Sequence, residues 1–122
     1  MIIMKNNIEC PAERAIYFLG GKWKIRILFY LFNNKIVRFN KLKKELKTIT
    51  QQMLSKQLKE LEIDGIINRE VHRVVPPKVE YSLTEFGLSV IPILKSFSDW
   101  NKKNTKTISQ KLNKNFEENR IR

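Results

Sequence analysis

Gln52, Ser55, Lys56 and Lys59 recur at spacings of three and four along "TQQMLSKQLKELEI". A helix through this stretch gathers them on one side, with Leu54, Leu58 and Leu61 on the other. Glutamine can pair bidentately with adenine, and lysine and serine can reach guanine or phosphate. Gln51 lies in the exposed first turn, and Thr50 has the side chain of a good N-cap. The chemistry on offer is recognition of a nucleic acid by hydrogen bonds and charge, with no bond made or broken. An isolated helix with such a face would be read as plainly solvated surface. Its setting decides otherwise.

The remaining reactive side chains are sparse. His72 is the only histidine, and no cysteine, histidine or carboxylate cluster surrounds it in the sequence, so no metal site is expected. "GGKW" lacks the spacing and the preceding strand of a phosphate-binding loop. No nucleophile–base pair suggests itself, so neither an enzyme nor a cofactor is expected. Cys10 is the only cysteine, which excludes an internal disulfide and fits a reducing compartment. It precedes Pro11 at a helix start, where the helix dipole and Arg14 one turn on would favour a thiolate. Lone cysteines are more often small inert fillers, and spacing by itself favours that reading.

The charge distribution points the same way as the polar face. The chain of 122 residues carries a formal net charge of +12. From Arg14 to Lys59 there are twelve basic residues and one acid, Glu45, so that segment holds +11 of it. Such an excess repels itself unless a polyanion relieves it. No apolar run reaches the ~18–20 residues of a membrane span, and the start "MIIMKNNIECP" has no leader-type cleavage pattern. A single cytoplasmic domain, without a membrane partner, is expected.

The elements that would position these residues follow from periodicity. Pro11 inside the start and Gly20-Gly21 past the end bracket a first helix. A second, buried helix runs from about Trp23 to Phe32. Ile36 to Arg38 can form a short edge strand, and Asn40 can cap a third helix with Leu42 and Leu46 inward. The fourth helix reaches from its Thr50 cap to Asp64 and ends at Gly65. "INREVHRV" and "KVEYSL" then alternate as two strands, with Val79, Tyr81 and Leu83 on one face and the stiff tip "VVPPK" between them. Thr84 caps a fifth helix through Trp100, with Pro92 inside it bending rather than ending it. Ile108, Leu112 and Phe116 are spaced for one more weak amphipathic helix in the basic tail. The order predicts a mainly α fold with a small β-hairpin, α-α-β-α-α-β-β-α, which is a winged helix-turn-helix. Residues 1–9 form an arm, 10–101 the DNA-binding and dimerisation domain, and 102–122 the tail.

In this setting Arg38 and Lys41 flank the third helix as backbone contacts, and Arg73 and Lys78 bracket the tip of the wing. Lys43 and Lys44 are as well explained by plain surface charge. Tyr17, Phe97 and Trp100 read as core or dimer contacts rather than a ligand box. An effector pocket at a dimer seam is left open.

"CPAERAIYFLGGKWKIRILFYL", "RFNKLKKELKTITQQMLSKQLKELEIDGIINREV" and "VVPPKVEYSLTEFG", in that order, resemble the HxlR-type winged-helix transcriptional regulators from about Cys10 to Trp100. The resemblance implies a homodimeric DNA-binding repressor or activator that pairs through its N- and C-terminal helices and binds a pseudo-palindromic operator. It implies that the helix from Thr50 reads the major groove and that the hairpin is a wing. In one branch of the family a cysteine just before proline senses electrophiles or oxidants, and Cys10-Pro11 occupies that place. Two departures stand out. Thr48 replaces a frequent glycine in the turn, and with no second cysteine a sensing disulfide would be intermolecular or formed with a small thiol. The competing expectation is a sequence-nonspecific, architectural DNA-binding protein in which charge does most of the work.

Overall fold

Proline at the first position and glycine at the end delimit α1 (Pro11–Leu19), with Cys10 as its N-cap. Gly21 follows at φ 105°, a backbone state that favours glycine. The computed structural model describes residues 10–121, with side chains described through residue 115; the arm at 1–9 and the side chain of Phe116 lie outside the described residues. Contacts divide the described chain into two compact units, one ending at Ile91 and one beginning at Pro92.

The first unit is built on α2 (Lys24–Asn34), whose Ile27, Leu28 and Leu31 are almost fully buried. β1 (Val37–Arg38) leads directly into α3 (Phe39–Leu46), and α4 (Gln51–Ile63) follows after a short turn. Leu42 and Leu46 from α3, Ile49 from the turn, and Leu54, Leu58 and Leu61 from α4 complete the core. The expected cap at Asn40 is corrected. The helix starts earlier, straight off β1, so Arg38 is the N-cap and Asn40 lies inside α3. The α3–α4 turn takes its positive φ at Lys47 (φ 59°, ψ −77°), and the Thr48 N–H donates to the Leu46 carbonyl at 2.8 Å. That is a three-residue γ-turn of the rare kind, closed one residue before the position where glycine was looked for.

β2 (Ile67–His72) and β3 (Lys78–Leu83) pair antiparallel, with Ile67 opposite Leu83 and His72 opposite Lys78. β1 adds to the other edge of β3, Val37 opposite Tyr81, giving the order β1-β3-β2. Tyr81 is buried, and Val79 and Leu83 on the same side are half-buried, as the alternation predicts. α5 (Glu85–Lys103) is continuous through Pro92, which also begins the second unit. α6 (Thr105–Ile121) makes the basic tail helical. Asn104 interrupts the two helices, with its side-chain amide donating to the Trp100 carbonyl at 2.9 Å.

Candidate nucleic-acid interface

Thr50 fixes how α4 begins. Its backbone is extended (φ −78°, ψ 157°) and its Oγ1 accepts the Met53 N–H at 3.0 Å, a cap worth about 1 kcal/mol. The first turn of α4 holds no acid, so the positive end of the helix dipole is unopposed by its own residues. Thr50, Gln51, Gln52 and Ser55 line an open polar concavity there. Gln51, Gln52, Ser55, Lys56 and Lys59 are all exposed. The structure thus brings together the whole polar face predicted from the sequence. Met53, exposed beside them, receives the Gln57 amide on its sulfur at 3.5 Å and adds an apolar surface that the polar pattern did not flag.

The flanking cations are less uniform. Lys41 lies 3.5 Å from Glu45, one turn on, so part of its charge is answered within α3. Arg38 is exposed at the sheet edge, opposite Glu80, which itself stands opposite Glu70 across the next ladder. In the wing, Arg73 to Pro77 form the connection, with a cis Val75–Pro76 peptide and Val75 fully exposed. Arg73 belongs to this connection, whereas Lys78 is already in the ladder and half-buried. The Nε2 of His72 lies 2.5 Å from Glu80 and 4.0 Å from Glu70, so its neighbours are strand carboxylates.

Lys24 and Glu60, which the sequence reading passed over, connect α4 to the core. Lys24 is buried in the first turn of α2, and its Nζ lies 2.9 Å from Oε2 of Glu60 on α4. The signal available in advance was a lysine among the apolar residues of "WKIRILFYLF". Beside it, the buried Trp23 ring is flanked by Lys22 Nζ and Arg26 Cζ, each 4.9 Å from its centroid. Trp23 is therefore a core aromatic with a cationic rim.

Tyr17 is half-buried and meets Phe18 edge-on at 5.5 Å, and Phe18 meets Phe86 in the same way at 6.1 Å. Phe97 and Trp100, by contrast, are 54% and 62% exposed on α5. Cys10 is free and exposed at the head of α1. Among the described residues no helix is long and apolar enough to cross a membrane, and no cluster of His, Cys, Asp or Glu could hold a metal ion.

A family model described as HxlR-like helix-turn-helix matches residues 18–109. The uncharacterized HTH-type transcriptional regulator YdeP of Bacillus subtilis (strain 168) is 51% identical over 94 residues, 77% of this chain and 73% of that protein. Among solved structures, the redox regulator HypR in its reduced form superposes with a TM-score of 0.78 at 42% identity, covering 83% of this chain and 99% of that one. The reduced form of the transcriptional regulator YodB from B. subtilis gives 0.69 at 30% identity, over 82% and 98%. HypR has also been solved oxidised, and YodB after diamide treatment. A capped helix with an exposed polar face, a basic wing and a match over most of the chain agree: the protein belongs to the HxlR-like helix-turn-helix family of DNA-binding transcriptional regulators.

Proposed function

We propose that the chain regulates transcription in the cytoplasm as a homodimer, with α4 of each protomer in a major groove. Gln51, Gln52 and Ser55 read base edges, Thr50 orients them, Lys56 meets base or phosphate, and Lys59, further along, meets phosphate. Arg38, Lys41, Arg73 and Lys78 position the protein on the sugar–phosphate backbone, the wing reaching the adjacent minor groove or its phosphates. Two-fold symmetry then calls for a pseudo-palindromic operator with half-sites one helical turn, ~34–36 Å, apart. The observation that carries this reading is the capped first turn of α4, where four polar residues line one open concavity.

Replacing Gln52 by alanine tests it in a binding assay on a duplex that the protein selects from a random pool. The expected result is a loss of about 1–3 kcal/mol at one base position, with binding to unrelated DNA nearly unchanged. An equal loss on every duplex would favour the architectural, nonspecific alternative. Cys10 is proposed as the input. It is exposed at a helix start, and HypR and YodB, with which the chain shares its fold, were solved in different redox states. An oxidant or electrophile at this thiol would shift the N-terminal helices and with them the spacing of the two α4 helices.

A further inference from the structure

Lysine is rarely buried without a partner, yet Lys24 is 8% exposed. It also sits at the N-terminal end of α2, where the helix dipole disfavours a cation. Local preference therefore argues against this placement, and the explanation must be tertiary. The partner is Glu60 at 2.9 Å, half-exposed on α4. Glu60 comes one turn after Lys56, and residues four apart on a helix are neighbours that attract when oppositely charged. The same Lys-x-x-x-Glu spacing does close within α3, between Lys41 and Glu45 at 3.5 Å. In α4 it does not: Glu60 turns to Lys24, and Lys56 is exposed with no ion pair among the described residues.

We propose, on the reading of α4 as the DNA-facing helix, that Lys24 is a positioning residue that draws Glu60 away from Lys56 and so keeps the Lys56 charge available to DNA. Lys24 itself stays buried and touches no DNA. Its effect is to hold the acid one turn from Lys56 on the core side of α4. Without it, Glu60 is free to neutralise Lys56 across one turn and to present a carboxylate toward phosphate.

A double-mutant cycle in the full chain tests this, using fluorescence anisotropy on the selected duplex from about 50 to 200 mM salt. Lys56→Met should weaken binding and lower the log–log salt slope by about one. Lys24→Met should weaken it about 1.4- to 2.3-fold at low salt, the size expected when a neighbouring pair forms on a helix. In a Lys56→Met background Lys24→Met should cause no further loss, and Lys24→Met/Glu60→Gln should recover wild-type affinity. A Lys24→Met loss that persists undiminished without Lys56 reports net charge or altered packing and overturns the proposal, as does no loss at all. If Lys56→Met leaves binding unchanged, the reading of α4 falls and this role of Lys24 falls with it. Thermal melts establish folding, and Lys24→Gln replaces the methionine variant in the same cycle should that variant not fold.

Discussion

At Thr84 one hydroxyl ties three segments together. Its Oγ1 lies 2.6 Å from the Gly65 carbonyl and 3.0 Å from that of Ile66, and it accepts the Gly87 N–H at 2.9 Å. The end of α4, the last residue of the hairpin and the start of α5 are thereby fixed to one another. The close approach explains Gly87: a Cβ there would overlap the carbonyl oxygen of Ile66, which is backbone and cannot swing aside. Gly87→Ala should therefore cost ~2 kcal/mol or more in urea denaturation. A change within a few tenths of a kcal/mol would show that α5 can retreat without loss. The cap at Thr84 was legible, because threonine before a helical period is a local signal. The reason for Gly87 was not, since it lies in a carbonyl 21 positions away in the chain.

At the scale of elements, local chemistry predicted most boundaries. Pro11, Gly20, Thr50, Gly65 and Thr84 mark helix ends where they were expected. Asn40 misled because β1 passes into α3 without a loop, so the β pairing of Arg38 opposite Glu80, and not a capping side chain, sets where the helix begins. α5 carries the clearest unspent feature of this scale. Ile93, Phe97 and Trp100, spaced four and three apart, are all more than half exposed. Such a stripe belongs against another surface, and pairing with a second copy is what we propose for it. Phe97→Glu together with Trp100→Glu should convert dimer to monomer in sedimentation equilibrium. A dimer of unchanged stability would place the pairing surface elsewhere.

For the molecule as a whole, we propose that pairing and signalling are linked through Cys10. A single exposed thiol per chain can form a protein disulfide only with another chain, or a mixed disulfide with a small thiol. Diamide should lower affinity for the selected duplex in the wild-type protein and leave Cys10→Ser unaffected. A serine variant that responds like wild type would show that the thiol is not the sensor. The sequence by itself determined the element order, the polar face of α4, the basic excess and the family, because each is written in local periodicity, capping residues and charge. Only the tertiary structure decided which charges remain available. Lys24 with Glu60 and Lys41 with Glu45 are paired by the faces that the helices present. A count of twelve cations from Arg14 to Lys59 says how much charge there is. Where it is answered depends on which side chains the fold brings within reach, since attraction between charges falls with distance and with water between them.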